Sequence, residues 1–396
     1  MTNNTAFELP ITPQIQVSGW AGDRATPGGG PELPVFYPAT GQKISVVIED
    51  DEASVDIAVT TARKAFDKGP WPGLSNSERI NVLERCGQVI RDNADELARL
   101  ECAATGLILR ELKERHMVRA AHNFRFFADY ISQRSGERYD QTPGYMTTVV
   151  REPVGVAALI APWNAPVALA TMKIAASLSF GNTCVLKPSE QTPLALARLV
   201  ALLQDVLPDG VLTLVNGRGP TTGAALVDHH GIDLVSFTGG TETGRTIMSA
   251  AGRRLVPTTM ELGGKSANII FASADYERAI DGALLGIFSN NGQQCLAGSR
   301  ILVERSIFDD FVGRFIERAQ QIRVGDPTQA ETELGPLASL SHMQRVLSFV
   351  DTARSDGGTL LTGGRRREDL GNGYFVSPTA VSVPSNAAQT AQNEIF

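Results

Sequence analysis

Between Ser75 and Gly106 the apolar positions recur at helical spacing. Ser75-Asn76-Ser77-Glu78 has the form of a capping box, a hydroxyl that accepts from an orphan N–H and a Glu three places on that reaches back. Ile80, Leu83, Val89 and Ile90 then fit one helix face, a second helix runs through Leu97 and Leu100, and Gly106 is its C-terminal stop. Residues 119–128 lie on a further helical stretch. The chain before Pro38 is rich in Pro, Gly and Thr and reads as irregular surface structure.

From Tyr145 the period shortens. Thr147, Thr148, Val149 and Val150 are β-prone, and 154–160 is an apolar run of strand length. An alternation follows: a helix over 166–180 stopped by Gly181, a strand over 183–187, a helix opened by Pro193, a strand over 211–215, a helix through Ala224 and Val227, and a strand over 234–237. Each return to a parallel strand needs a crossover, so this order implies an α/β fold, a mostly parallel sheet with helices on both faces. Ligands of such sheets sit at the carboxyl ends of the strands.

Two of those ends carry candidate chemistry. After 234–237 come Thr238-Gly239-Gly240-Thr241-Glu242-Thr243-Gly244 and a helix over 245–251, an arrangement that offers backbone N–H groups to an anion. By itself the loop is equally well a tight turn, since its spacing is not G-x-G-x-x-G. After 183–187 come Lys187-Pro188-Ser189-Glu190, a cation and a carboxylate that either hold ribose hydroxyls or form a solvated pair. Further on, Glu261 sits at a strand end before Gly263 and Gly264. Cys295 follows Asn291-Gly292-Gln293-Gln294 on a connection from a helix to a strand over 300–303. A thiol so flanked is placed for reactivity rather than packing. Cys86, Cys102 and Cys184 read instead as small buried hydrophobes.

Composition narrows the function classes. With 396 residues, 42% of them hydrophobic and 20% charged, the chain has material for two globular domains. A formal charge of -7 with no basic cluster argues against a nucleic-acid footprint. No run approaches the roughly 18 uninterrupted apolar residues of a membrane span. The first ten residues lack the basic and apolar regions of a secretory signal, so a cytoplasmic address is expected. Neither an H-x-x-x-H nor a C-x-x-C spacing is present, and no metal site or disulfide is expected.

Six motifs follow one another: Ala161-Pro162-Trp163-Asn164, Lys187-Pro188-Ser189-Glu190, the loop from Phe237 to Gly244, Met260-Glu261-Leu262-Gly263-Gly264-Lys265, Gly292-Gln293-Gln294-Cys295 and Glu394-Ile395-Phe396. In order and spacing this set resembles the aldehyde dehydrogenase superfamily, from about Val35 to the last residue. The resemblance implies a Rossmann-type, NAD-binding parallel-sheet domain over 1–135 and 152–262. It also implies an oligomerisation β element over 136–151 and a second α/β, catalytic domain over 263–396. Cys295 would be the nucleophile, Asn164 an oxyanion donor beside the Cys295 backbone N–H, and Glu261 the general base. Lys187 and Glu190 would hold the adenosine ribose of NAD, with Trp163, Gly239, Gly240 and Gly244 also at the cofactor and Glu394 and Phe396 at its nicotinamide ribose and ring. A carboxylate at 190 repels a 2′-phosphate and so favours NAD. The partner implied is a small-molecule aldehyde, and the assembly a homodimer or homotetramer.

The chain departs from the pattern in two places. Gly240 stands where many members have Ser, leaving only backbone donors for a pyrophosphate. Phe396 falls inside a motif that the family continues with Gly-Pro, so the catalytic domain reads as C-terminally truncated, with an exposed apolar face and an unpaired sheet edge. Two alternatives to an active dehydrogenase follow: a truncated, catalytically inactive dinucleotide-binding protein of the same fold, and an esterase-like enzyme that needs no NAD. Residues 119–128 are similar to dehydrogenases acting on hydroxymuconic semialdehydes, and Arg119 either meets a substrate carboxylate or is a solvated helix-face residue.

Overall fold

Among the described residues the first elements are strands. The computed structural model describes residues 7–12, 17, 19–22, 24–26 and 28–396; the rest of the N-terminal stretch read as irregular lies outside the described residues. Gly19–Ala21 (β1) and Arg24–Thr26 (β2) pair antiparallel, and Glu32–Tyr37 (β3) pairs with Gln42–Ile48 (β4). The expectation of irregular structure before Pro38 is therefore corrected: Trp20 pairs with Leu214 of the main sheet, and Val35 and Tyr37 are core residues. These strands are short local pairs in turn-rich sequence, and the bridge from Trp20 to Leu214 ties β1 to distant chain, so pairing overrides local turn composition.

Helices Glu52–Lys68 (α1), Asn76–Asp92 (α2), Ala94–Thr105 (α3), Leu109–Glu111 (α4) and, after a π-helical turn over Leu112–His116, Met117–Ser132 (α5) come next. The capping box forms: Glu78 N donates to Ser75 Oγ at 3.3 Å and Ser75 N donates to Glu78 Oε2 at 2.9 Å. Gly106 closes α3 with a left-handed φ of 71°. Glu137–Tyr139 (β5) and Thr147–Val149 (β6) then make an exposed antiparallel hairpin.

The expected alternation follows as Val156–Ile160 (β7), Pro166–Ser179 (α6), Thr183–Lys187 (β8), Leu194–Leu203 (α7), Leu212–Leu214 (β9), Ala224–Asp228 (α8), Leu234–Gly239 (β10), Thr241–Arg253 (α9) and Thr258–Leu262 (β11). The sheet order is β11-β10-β7-β8-β9-β1-β2, its first five strands parallel. β7 and β8 are buried at every position, as strands covered on both faces are. The chain leaves β7 toward β8 on one side and returns to β10 on the other, so the strand order reverses at β7. The crevice for a ligand opens there, at the carboxyl ends of β7 and β10.

The helix after β10 begins at Thr241, not Arg245, which corrects the place of Gly244. Gly240 is the N-cap, Gly244 N donates to Gly240 O at 3.0 Å, and Gly244 lies in the first helical turn rather than in the loop. A Cβ at Gly244 would come within 2.7 Å of Leu262 Cδ2, so its smallness lets α9 lie against β11.

Beyond β11 come Ala267–Ile270 (β12), Tyr276–Phe288 (α10), Arg300–Val303 (β13), Phe308–Gln321 (α11), Leu340–Ser355 (α12), Thr359–Thr362 (β14), Ala380–Ser382 (β15) and Gln389–Gln392 (α13). β12 and β13 are a parallel pair, β14 and β15 an antiparallel one. Ile280 and Phe311 anchor a small core here, while Ile269, Phe271 and Leu285 are exposed. Among the described residues no helix is long and apolar enough to cross a membrane.

Candidate active site

The loop that leaves β7 and the loop that precedes β13 meet. Asn164 is buried, and its Nδ2 donates to Gln293 O at 2.9 Å. Asn290 Nδ2 returns the tie, donating to Asn164 O at 2.9 Å and to Gln293 O at 3.0 Å. Asn290, Asn291 and Gly292 are three successive left-handed residues, with φ of 55°, 56° and 75°. Asn tolerates that region better than other side chains, and the buried amides hold it. Asn291 Nδ2 donates to Gly106 O and Pro336 O, its Oδ1 accepts from Gly335 N at 2.8 Å, and Gln293 Oε1 accepts from Ala338 N at 3.0 Å. Cys295, two residues past Gln293, is exposed; Cys86, Cys102 and Cys184 are buried, each with its thiol pushed upward by burial.

Glu261 approaches from β11. It lies opposite Thr238 of β10, is exposed, and is followed by Gly263 and Gly264; a Cβ on Gly264 would stand 4.0 Å from Cys295 O. The same glycine pair admits Glu394, whose carboxylate would be 2.5 Å from a Cβ at Gly263. Glu394 Oε1 accepts from Thr241 Oγ1 at 2.9 Å at the start of α9, and Arg345 Nη2 donates to Glu394 O at 2.8 Å. Trp163 packs edge-on against Phe396, ring centroids 5.2 Å apart, and His342 completes the cluster 4.9 Å from Trp163. Burial pushes the His342 imidazole down to about 4.

Lys187 and Glu190 stand farther along the crevice, past the end of β8. Lys187 is buried and donates from Nζ to Pro188 O at 3.0 Å; burial holds its amine below the usual range, against the pull of Glu190 and Glu49. Glu49 in turn accepts from Arg218 N, Nε and Nη2. Gly239 ends β10 and Gly240 caps α9, and a Cβ at Gly240 would meet nothing within 4 Å. No side chain caps α9, and Thr238 Oγ1 is buried without a hydrogen-bond partner. An open helix N-terminus with an orphaned hydroxyl beside it suits a phosphate. Arg119 is set apart, exposed on α5 with no hydrogen bond or ion pair among the described residues.

Residues 26–396 match the model described as the aldehyde dehydrogenase family. The chain belongs to the aldehyde dehydrogenase family. This dehydrogenase is 45% identical over 365 residues to 5-carboxymethyl-2-hydroxymuconate semialdehyde dehydrogenase of Escherichia coli, covering 91% of this chain and 77% of that relative. Among solved structures it is similar to HpcC of Thermus thermophilus, with a TM-score of 0.94 and 40% identity over 97% of this chain and 76% of that one. It is also similar to the NAD+ complex of the Bacillus cereus aldehyde dehydrogenase, with a TM-score of 0.93 and 36% identity over 96% of this chain and 78% of that one. Nothing in these similarities favours a catalytically inactive protein of the same fold.

Two groups at the dehydrogenase's site escape a reading by motif, and a third is only partly read. Lys173 of α6 is buried, donates to Ser236 Oγ at 2.9 Å and is drawn down to about 8 by burial, against the opposing pull of Glu261. In the sequence it is one cation inside an apolar helix. His342 begins α12 and carries no motif at all. Asn290-Asn291-Gly292 does carry a signal, since Asn-Gly marks left-handed backbone.

Proposed function

We propose that this enzyme oxidises a carboxylate-bearing semialdehyde to the carboxylic acid through a thioester on Cys295, with NAD as cofactor. The carrying observation is the tie between Asn164 Nδ2 and Gln293 O at 2.9 Å, which brings an amide donor to the segment that presents an exposed thiol. Cys295 attacks the aldehyde carbon as thiolate, its proton passing to Glu261. Asn164 Nδ2 and the Cys295 backbone N–H donate to the oxygen as it becomes anionic. When bound, NAD would supply the oxidation as the acceptor of a hydride from the aldehydic carbon. Glu261, having released that first proton to solvent, takes one from the water that opens the thioester and returns it to the departing Cys295 thiolate, so that the acid leaves and the thiol is restored.

Lys187 and Glu190 hold the adenosine ribose, and the open start of α9, at Gly239, Gly240 and Thr241, receives the pyrophosphate. Gly244 acts from within the helix, by letting α9 lie against β11. Glu394, Trp163 and Phe396 border the nicotinamide end. Arg119 meets the substrate carboxylate. Asn123, one helical turn on, bonds Ala168 O of α6, and the i,i+4 spacing of Arg119 from Asn123 supports a place for it beside that helix. A free guanidinium suits a planar carboxylate. The 45% identical relative named for a semialdehyde supports the substrate class.

The test mixes the protein with NAD and paired acidic and neutral aldehydes and follows reduced cofactor, with Cys295→Ala as control. Turnover that prefers the acidic aldehydes and is lost in the control is expected. An equal rate on both sets would remove the substrate class, and an acidic-to-neutral ratio unchanged in Arg119→Leu would remove Arg119 as the residue that meets the carboxylate.

A further inference from the structure

Helix α6 starts without a cap of its own. Its N-cap, Ala165, has no side chain that can accept, and Pro166 at the first position has no N–H to satisfy. The next donor, Val167 N, reaches out of the helix to Glu101 Oε2 at 3.0 Å, a carboxylate that crosses from α3. Glu101 is fully buried at its side chain. Its other oxygen makes no hydrogen bond and faces His116 Nδ1 at 3.5 Å. From α5, Asn123 Nδ2 donates to Ala168 O at 2.9 Å and to Thr171 Oγ1 at 3.0 Å. The first turn of α6 is thus gripped by two other helices, and Asn164 lies only three residues before Val167.

We infer that Glu101 is a positioning residue for the Asn164 amide: by fixing the start of α6 it fixes the short link, Ala165-Pro166, on which Asn164 stands. The inference rests on the oxyanion role given to Asn164 above. Such a donor acts only when its N–H is aimed at the developing charge, and a displacement of about 1 Å costs on the order of 10²-fold in rate. Asn164 is otherwise held by its bonds with Gln293 and Asn290, both on the far side of the crevice. Glu101 holds the near side. It touches neither substrate nor cofactor and acts through the helix alone. A buried carboxyl group is costly unless its acceptors are used, and here one of them is spent on the single N–H that sets the entry of α6.

The test is a double-mutant cycle on the full chain with Glu101→Ala and Asn164→Ala, reading kcat, KM for aldehyde, and NAD affinity. Glu101→Ala is expected to lower kcat about tenfold with NAD affinity unchanged, less than the roughly 10²–10³ of removing the donor itself. Glu101→Gln, which keeps an acceptor oxygen, restores most of the rate. In the Asn164→Ala background Glu101→Ala costs nothing further, because the group it aims is gone. If Glu101→Ala lowers kcat by the same factor in both backgrounds, the residue serves the fold and the inference fails while the role of Asn164 stands. If Asn164→Ala itself leaves kcat intact, the oxyanion assignment fails first. Should Glu101→Ala not fold, Glu101→Asp, which draws the acceptor back by one methylene, takes its place in the cycle: a loss of kcat confined to the Asn164 background supports the inference, and an equal loss in both overturns it.

Discussion

The part of the molecule that ends at β11 and the part beyond it are held by different forces. In the first, every residue of β7 and β8 is buried, and apolar side chains fill both faces of the sheet. In the second, Ile270 is the one buried residue of β12 and β13, and a cavity of about 600 Å³ lies among Leu302, Phe308, Phe311, Val346 and Phe349. The segment that leads to Cys295 is fixed instead by amides: Asn290, Asn291 and Gln293 are 5%, 5% and 1% exposed; Asn290 and Asn291 bond Asn164 O and Gly106 O of the first part, and Asn291 and Gln293 bond the backbone of Pro336 and Ala338 in their own. A rigid apolar frame aims the strand ends, and a polar network hangs the reactive segment from it.

The contrast predicts which property each substitution disturbs. Cys295→Ala should lower kcat by about 10⁴-fold or more, the scale of losing a covalent nucleophile, while the melting temperature stays put because the side chain is exposed. Leu159→Ala, in the middle of β7 and 1% exposed, should cost about 2–5 kcal/mol in urea unfolding. Leu302→Ala on β13, 41% exposed, should cost under about 1 kcal/mol in the same experiment. Equal costs for the two leucines would erase the distinction between the parts. Asn291→Ala removes three hydrogen bonds that tie Gly106, Gly335 and Pro336 to the reactive segment. It should cost about 1–3 kcal/mol and lower kcat, with NAD affinity unchanged by fluorescence titration.

How much of this was legible in the chain follows the same division. The apolar runs of β7 and β8, the box at Ser75 and the stop at Gly106 are local signals, and local signals survive folding when many contacts agree with them. The strands before Pro38 are not legible, because they are short pieces amid Pro, Gly and Thr, and the bridge that ties β1 to the main sheet, Trp20 to Leu214, is far away in sequence. The start of α9 was misplaced by four residues because glycines on both sides of Thr241 look alike in sequence, although Gly240 caps and Gly244 packs. Cys295, Glu261 and Asn164 could be named as motifs, but the amide network that joins two of them could not. Glu101, Lys173 and His342 were invisible for a common reason: a single polar residue in a buried pattern gives no sign of what it faces.

Lys173 offers the finest test, because it is the charge that the apolar frame buries beside the reactive part. Burial lowers its amine from 10.5 to about 8, and Glu261 pulls the other way. Below pH 8 both folded and unfolded chains hold the proton, and the folded state bears the whole burial cost. Between pH 8 and 10.5 the folded chain has released it while the unfolded chain still binds it, so stability from this group rises with pH. Lys173→Met should therefore be more stable than the parent at pH 7, by about 1–2 kcal/mol. The gain falls short of the full shift because the bond from Lys173 Nζ to Ser236 Oγ is lost with the amine. Urea midpoints of the two proteins at pH 7 and pH 9.5 decide the matter: the difference should shrink at the higher pH. A difference that holds constant would mean that the frame solvates this amine, and that its burial is not what separates the two parts.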